Sequence, residues 1–357
     1  MRQVAELRSL TGARGVAAWL VVLFHIRLAL PELPHRAKAV IAHGYLAVDF
    51  FFLLSGFVIW LAWDGRLREG GWAAVPAFLQ KRIARIWPLH AVILAGAAAL
   101  VAGLAMTGRH DPRAFPVEEF PLHLLLLQNW GWTAALSWNH PAWSISVEWA
   151  AYLLFPLLVH AIDWRTLPSA VIVAAVGALF LLLASVFAAA GATSLGADVP
   201  RLGLVRCLVE FSAGGAIGAL WWRWRDRPGL AIGMAVIAAA LLTSPLPEPL
   251  RVPPALAALL LGLALAGDAR NPLGWRPLHY LGEVSYATYL SHYLLWFAWK
   301  LAFVTNPRAV PAAVIASYLL AVLASSVALY HLVERPAQRL VNGWRLRPLK
   351  PFALSRD

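Results

Sequence analysis

The sequence predicts an all-α polytopic membrane protein, with about ten transmembrane helices in one bundle. Of its 357 residues, 61% are apolar and only 13% are charged, about half the charged fraction of ordinary soluble domains. Many of the 18 tryptophans lie near the ends of long apolar runs, where interfacial aromatic residues are enriched. These observations exclude a soluble globular domain and a disordered chain. With Cys207 as the single cysteine, they also exclude a disulfide scaffold.

Ten apolar runs approach the length of about 20 residues that a helix needs to cross a bilayer. They are 15–30, 44–63, 86–106, 145–162, 168–191, 203–222, 228–244, 253–267, 284–304 and 309–333. A further patch, 121–130, is too short to span and is predicted to be interfacial or re-entrant. We expect one domain over residues 1–357 without an appended soluble domain, because no linker or low-complexity segment divides the chain.

The distribution of basic residues predicts that both termini are cytoplasmic. With a cytoplasmic N-terminus and ten alternating spans, 20 of the 30 lysines and arginines fall inside, nine fall outside, and Arg206 lies within a span. Lysine and arginine are enriched in cytoplasmic loops. The net charge of +12 is therefore explained by orientation, and no nucleic-acid partner is expected. Residues 334–357 are then a cytoplasmic tail.

The first run places a cation and an imidazole on one helix face. Arg14 and His25 are 11 residues apart, which brings their directions within about 20° of each other over a rise of about 16 Å. Arg14 would lie at the inner headgroups and His25 at or beyond the bilayer centre. Ionisable groups inside spans are costly and indicate function. The alternative is a snorkelling arginine with a histidine that is hydrogen-bonded inside the bundle.

The second run contains Asp49 in its outer third and the Ser55-Gly56 pair near its middle. Gly56 favours close helix packing. Asp49 is a candidate catalytic residue that would orient His25, because an ionised carboxylate in the membrane needs a partner.

A basic cluster, Lys81, Arg82 and Arg85, lies at the inner end of the third run. Such clusters usually reflect only the preference of lysine and arginine for the inner side. Together with Arg14, however, this one could bind phosphate groups.

The segment 128–156 is the most polar and aromatic part of the chain. Glu148 lies one turn into the fourth run, and Tyr152 follows four residues later on the same face. Glu148 is predicted to be catalytic, in a site for a hydroxylated acceptor; the alternative is an ordinary interfacial loop. Acceptor binding is assigned to four residues, namely Asn129, Trp143, Ser146 and Tyr152.

Other polar residues within the runs receive mainly structural interpretations. Arg206 and Glu210 are four residues apart and are interpreted as a structural ion pair. His331 and Glu334, at the end of the tenth run, are also interpreted as structural. Ser285, Tyr289 and His292 fall along one stripe of the ninth run. No metal site is expected, because the sequence has no HExxH motif and no paired cysteines.

The chain resembles the acyltransferase-3 family of bacterial membrane O-acyltransferases almost from end to end. Seven segments carry the resemblance: LTGARGVAAWLVVLFH (10–25), GYLAVDFFFLLSGFVI (44–59), KRIARIWP (81–88), LLLLQNW (124–130), AWSISVEWAAYLLFP (142–156), LGEVSYATYLSH (281–292) and VERP (333–336). The family's motifs fall on Arg14 and His25, on Ser55, Gly56 and Phe57, on Arg82 and Arg85, and on Trp143 and Glu148. Each motif alone is modest, whereas the ordered set is specific.

The resemblance implies a multi-pass protein of the bacterial inner membrane with about ten helices. Members move an acyl group, usually acetyl from cytoplasmic acetyl-CoA, to hydroxyls of extracytoplasmic or lipid-linked glycans, or of small molecules. The implied partners are therefore acyl-CoA, a carbohydrate or other hydroxyl acceptor and the lipid bilayer. Some relatives carry a fused extracytoplasmic esterase domain, which we do not expect here.

The residues and the resemblance together predict a mechanism. Arg14 and the basic cluster would hold the phosphates of acyl-CoA from the inner face, and a continuous tunnel would lead the thioester to His25. His25 would act as general base on the acceptor hydroxyl, or carry the acetyl group itself. Asp49 or Glu148 would orient His25 or the acceptor.

A proton-coupled transporter or flippase is the alternative function, because buried ionisable groups also form proton relays. The two halves of the sequence show no corresponding pair of broken helices, which counts mildly against this alternative. The acceptor, the acyl group and the oligomeric state stay open.

Overall fold

A computed structural model describes residues 7–30, 33–109, 111–268, 271–306 and 310–344. These residues form helices and connecting turns, and they contain no strand. The α-helices are α1 (Arg8–Ile26), α2 (His35–Ala42), α3 (Ala47–Gly70), α4 (Val75–Met106), α5 (Phe120–Leu125), α6 (Ala142–Ala161), α7 (Ser169–Ala189), α8 (Val199–Trp224), α9 (Leu230–Thr243), α10 (Glu248–Ala266), α11 (Arg276–Glu283), α12 (Ser285–Phe303), α13 (Ala312–Leu329) and α14 (Arg335–Gly343). A π-helical turn, Tyr330–Glu334, joins α13 to α14.

Seven helical segments of the described chain are long and apolar enough to cross a membrane. They are Arg8–Ala29, His35–Met106, Ala142–Ala161, Ser169–Ala189, Val199–Trp224, Glu248–Ala266 and Ala312–Gly343. The second of these contains both α3 and α4, while the 14-residue α9 and the more polar α12 fall outside the set. The protein is therefore an all-helical multi-pass membrane protein. Ten crossings and cytoplasmic termini stay predictions.

The short apolar patch 121–130 and the C-terminal tail 334–357 are each the subject of a sequence prediction. The patch 121–130 overlaps the six-residue α5, which begins at Phe120 and is too short to span a bilayer. Most of the predicted cytoplasmic tail, 345–357, lies outside the described residues, as do Arg2, Arg270 and Arg308.

Helices α3 and α8 pack closely because both carry glycine where they cross. A Cβ atom at Gly56 would collide with the carbonyl of Phe211, and one at Gly214 would collide with the carbonyl of Leu53. Small residues allow such backbone approach between membrane helices. The predicted packing role of Gly56 is therefore confirmed.

A buried ion pair also joins these two helices. Nε and Nη2 of Arg206 donate to the two carboxylate oxygens of Asp49 at 2.6 and 2.5 Å. The predicted ion pair of Arg206 with Glu210 is wrong, since none joins them in the described chain. The planar guanidinium instead turns toward α3, where the carboxylate of Asp49 can accept two parallel hydrogen bonds.

Helix α1 runs parallel to α12. Two polar residues of α1, Arg14 and His25, contact α12 and the residue range just before it. The Arg14 guanidinium donates to the carbonyl of Gly282 at 2.7 and 3.2 Å, just before α12 begins. Eleven residues further along α1, His25 contacts His292 on α12. Arg14 and His25 therefore share one face of α1, as their spacing predicts.

Candidate active site

Five helices, α1, α3, α4, α6 and α12, line a cavity of about 170 Å³. Its charged lining residues are Arg14 from α1, Arg82 and Arg85 from α4, and Glu148 from α6. Hydroxyl groups of serine and tyrosine form much of the remaining polar surface. We call this space the arginine cavity. A cavity with three guanidinium groups is suited to an anionic ligand.

Arg82 and Arg85 are three residues apart on α4 and therefore point to neighbouring directions on one side of the helix. The Nε atom of Arg82 is buried and has no hydrogen-bond partner among the described residues, so it can donate to a ligand. Lys81 is exposed and does not line the cavity. Three of the four cations predicted to bind acyl-CoA thus meet in one cavity, and Lys81 lies apart from them.

The guanidinium of Arg85 is held by a residue that is far away in the sequence. It forms an ion pair with Glu334, the last residue of the π-helical turn, whose side chain is 1% exposed. π-helical turns are rare and often occur at functional sites. Glu334, interpreted from the sequence as structural, therefore helps to place a cation in the arginine cavity.

Glu148 lies at the centre of a hydrogen-bonded group in the arginine cavity. Its Oε1 atom accepts hydrogen bonds from the hydroxyls of Ser55 at 2.5 Å and Tyr152 at 2.6 Å. The Arg82 guanidinium lies 5.8 Å from the centre of the Tyr152 ring. The predicted shared face of Glu148 and Tyr152 is confirmed, and the structure places both residues with the arginines.

His25 lies outside the lining of the arginine cavity. Its Nδ1 atom is 2.9 Å from the carbonyl oxygen of Val21 and 3.1 Å from Nε2 of His292. In the described part of the chain, no hydrogen bond involves its Nε2 atom and none joins it to Asp49. Asp49 is instead paired with Arg206, so it does not orient His25 by direct contact.

Tyr289 lies between the arginine cavity and the two histidines. Its side chain lines the cavity, and its ring centre is 6.1 Å from that of His292. Its hydroxyl lies 2.8 Å from that of Ser144, which also lines the cavity. The lining of the arginine cavity thus includes Arg14 and Tyr289 but not His25, and the continuous tunnel from Arg14 to His25 stays a prediction.

Two of the residues predicted to bind the acceptor, Ser146 and Asn129, hold a loop against α6. The Ser146 hydroxyl donates to the carbonyl of Leu126 at 2.9 Å and accepts from the backbone N–H of Asn129 at 3.2 Å. Trp143 packs 5.6 Å from the Arg206 guanidinium. The void beside Asn129 and Trp143 measures about 10 Å³, which is room for one water at most. Acceptor binding at these residues would require the loop to move.

His140, His292 and Tyr293 lie near His25, although none of them is among the site residues predicted from the sequence. The Tyr293 hydroxyl is 2.9 Å from Nδ1 of His140, and the two rings stack. Burial lowers the pKa of His140, which favours its neutral form. The Tyr293 ring also packs edge-on against His25 at 5.3 Å. The helical stripe containing Tyr289 and His292 was a usable signal, whereas no sequence pattern pointed to His140 or Tyr293.

A larger cavity of about 380 Å³ lies between α3, α6, α7 and α8. Its lining is apolar except for Trp60, Trp164 and Ser212, and it contains no charged group. It therefore offers nothing to bind phosphate or transfer a proton. Among the described residues, no group of three or more histidine, cysteine or acidic side chains could hold a metal ion.

Comparison with known proteins identifies the family. A family model described as an acyltransferase domain matches residues 7–331. Acyltransferase MdmB of Streptomyces mycarofaciens is 32% identical over 97% of this chain and 95% of its own length. The exopolysaccharide production protein ExoZ of Rhizobium meliloti (strain 1021) is 29% identical over 83% of this chain and 90% of its own length.

A third relative, protein 2 in the picA locus of Rhizobium radiobacter, is 34% identical over 49% of this chain and 93% of its own length. No solved structure matches the chain significantly. The full-length family match favours an enzyme over a transporter or flippase. The chain belongs to the acyltransferase-3 family and is an acyltransferase.

Proposed function

We propose that the protein transfers an acetyl group from cytoplasmic acetyl-CoA at the bacterial inner membrane. The acceptor is a hydroxyl of a cell-envelope carbohydrate or of a lipid-linked sugar. One observation carries the proposal: three arginines converge on a cavity that Tyr289 also lines, and the Tyr289 ring lies beside His292, which contacts His25. The name of ExoZ, an exopolysaccharide production protein, supports a carbohydrate acceptor.

The arginine cavity is the proposed donor site. Acyl-CoA carries phosphate groups, and guanidinium groups bind phosphate oxygens through paired, charge-assisted hydrogen bonds. Arg14, Arg82 and Arg85 supply these donors, and the buried Nε of Arg82 is available for one of them. The acyl end of the donor would point toward Tyr289, because that end of the cavity is nearest the histidines.

Glu148 is proposed to act within this donor site. Its carboxylate offsets part of the positive charge of the arginines and fixes the hydroxyls of Ser55 and Tyr152. Asp49 is proposed to act through Arg206, by holding α3 against α8. The roles of Asn129, Trp143 and Ser146 in acceptor binding stay proposals that depend on movement of their loop.

His25 is the proposed general base. Its Nε2 atom takes the proton of the acceptor hydroxyl while the hydroxyl oxygen attacks the thioester carbonyl. The carbon–sulfur bond breaks, CoA leaves as a thiolate, and the proton on His25 passes to the sulfur. The new bond is the ester between the acyl carbon and the acceptor oxygen. Tyr289 must move for the thioester and His25 to meet.

The test uses everted membrane vesicles from cells that carry or lack the gene, supplied with radiolabelled acetyl-CoA. Vesicles with the wild-type protein should incorporate label into envelope material, and His25→Ala should abolish this while acetyl-CoA still stabilises the purified variant thermally. Mass spectrometry of envelope glycans should show an acetyl-sized difference between the two strains. If wild-type vesicles incorporate no more label than those without the gene, the proposed function is wrong.

A further inference from the structure

We propose that His292 is the positioning residue of the catalytic base, holding His25 so that its Nε2 atom is left to take the proton of the acceptor. This inference rests on the proposed function, because it assigns a partner to the base of that reaction. Asp49 and Glu148, the carboxylates predicted from the sequence to orient His25 or the acceptor, both have other partners in the structure.

The position of the proton on His292 follows from a backbone contact. Nδ1 of His292 lies 3.2 Å from the carbonyl oxygen of Thr288. Two lone pairs would repel each other at this distance, so Nδ1 carries the hydrogen and donates it. A neutral imidazole has one N–H, and its other nitrogen is an acceptor. Nε2 of His292 therefore presents a lone pair to His25.

A backbone contact also fixes the position of the proton on His25. Its Nδ1 atom lies 2.9 Å from the carbonyl oxygen of Val21, which again requires an N–H at that nitrogen. This hydrogen is shared with Nε2 of His292, 3.1 Å away. The remaining nitrogen of His25, Nε2, then bears the lone pair that a general base needs. Both backbone carbonyls thus favour the same tautomers, assigned from the hydrogen-bond network.

His292 is held firmly enough to act as an orienting group. Its side chain is fully buried, and its backbone carbonyl accepts a hydrogen bond from the Tyr318 hydroxyl at 3.0 Å. The ionisable groups that face His25 include His140 and Arg27. In the described part of the chain, no carboxylate forms a hydrogen bond or ion pair with either His25 or His292.

A neutral imidazole partner affects the reaction when His25 gains a proton. The Nδ1–H of the resulting imidazolium becomes a stronger donor, and its hydrogen bond to His292 becomes charge-assisted. That bond strengthens as the acceptor oxygen attacks, so it lowers the barrier rather than improving acyl-CoA binding. A carboxylate fills this place in the Ser-His-Asp triad, and His292 fills it here.

Three substitutions of His292 separate positioning from packing. In His292→Gln the amide oxygen can reach the place of Nε2 and accept from His25, whereas in His292→Asn the shorter amide reaches only the place of Nδ1. His292→Phe keeps an aromatic ring but has no acceptor. The assay is label incorporation in everted vesicles at equal protein amounts, with the rate at saturating acetyl-CoA and the KM for acetyl-CoA measured separately.

We expect His292→Phe and His292→Asn to lower the saturating rate by roughly 10- to 100-fold. A change of this size corresponds to the free energy of one hydrogen bond to a charged group. The KM for acetyl-CoA should stay within about twofold, because the arginine cavity is untouched. His292→Gln should stay within about fivefold of the wild-type rate. The inference is overturned if His292→Phe keeps the wild-type rate, or if His292→Gln falls as far as His292→Asn.

Folding and function are tested separately. Thermal stabilisation of each purified variant by acetyl-CoA shows whether it is folded. If His292→Phe does not fold, the glutamine and asparagine variants decide the question, because both are polar amides and only the longer one reaches His25. A wild-type protein without transfer activity would refute the proposed function. If the wild type is active, His25→Ala is inactive and all three His292 variants keep the wild-type rate, this inference is refuted while the proposed function stands.

Discussion

The hydroxyl groups of Tyr289 and Ser144 lie 2.8 Å apart at the end of the arginine cavity nearest the histidines. The Tyr289 hydroxyl also lies 3.2 Å from the carbonyl of Pro141, to which it donates. These contacts hold the tyrosine ring between the arginine cavity and His292. Under the proposed function, the thioester reaches His25 only when the tyrosine and serine side chains separate.

Filling the end of the cavity should block transfer without preventing donor binding. Ser144 is buried, so Ser144→Leu adds apolar volume where the acyl end must pass. We expect the saturating rate of label incorporation to fall by about tenfold or more, the size of effect that misplacement of reacting groups produces. Binding of acetyl-CoA should persist, because the arginines are unchanged.

Ser144→Ala is the matched control for this substitution, because it removes the same hydroxyl without adding volume. Its rate should stay near that of the wild type. Equal rates for the leucine and alanine variants would show that the acyl group does not pass Ser144.

Glu334 should influence donor binding through Arg85. Glu334→Gln removes the negative charge that holds the Arg85 guanidinium while keeping the side-chain shape. We expect the KM for acetyl-CoA to rise roughly 3- to 10-fold with the saturating rate unchanged. The reason is that the lost interaction stabilises bound acetyl-CoA and the transition state equally. Steady-state rates over a range of acetyl-CoA concentrations measure this.

A double-mutant cycle tests whether Glu334 acts through Arg85. Glu334→Gln combined with Arg85→Gln should be no worse than Arg85→Gln alone, since coupled residues are not additive. Gln338→Ala is a control for local disturbance, because Gln338 contacts Glu334 but does not line the cavity. Additive losses in the double variant would show that Glu334 acts independently of Arg85.

Helical periodicity predicted the parts of the site that depend on one helix. It placed Arg14 and His25 on one face of α1, and Glu148 and Tyr152 on one face of α6, and both placements are confirmed. Composition likewise predicted an all-helical membrane fold. These features are local, because residues three, four, seven and eleven apart share a face in any α-helix.

The contacts between distant segments could not be predicted from periodicity. His25 and His292 are 267 residues apart, and Arg85 and Glu334 are 249 residues apart. Which helices become neighbours depends on packing of the whole bundle, and a single sequence does not report it. For the same reason Asp49, predicted to orient His25, lies instead against Arg206.

The Asp49–Arg206 pair should contribute to stability, and its removal should be costly. Both side chains are buried, so Asp49→Asn leaves an arginine charge without its partner. Breaking one side of such a pair costs about 3–5 kcal/mol. We expect a clear fall in the thermal unfolding temperature, measured by the intrinsic fluorescence of the purified protein.

The double variant Asp49→Leu with Arg206→Met tests whether the unpaired charge causes the loss of stability. It removes both charges, so it should be more stable than Asp49→Asn. Wild-type stability of Asp49→Asn together with loss of acyl transfer would favour the catalytic role predicted from the sequence.

Neighbouring cations on α4 give the sharpest test of the donor site. Arg82 lines the arginine cavity with a buried, unpartnered Nε among the described residues, whereas Lys81 is exposed and lies outside the lining. Arg82→Gln should raise the KM for acetyl-CoA by roughly 10- to 100-fold, the worth of a hydrogen bond between charged groups. Lys81→Gln removes the same charge one residue earlier and should change the KM by less than about twofold. Equal effects of the two substitutions would mean that acyl-CoA responds to the general positive charge of α4, and the arginine cavity would then lose its assignment as the donor site.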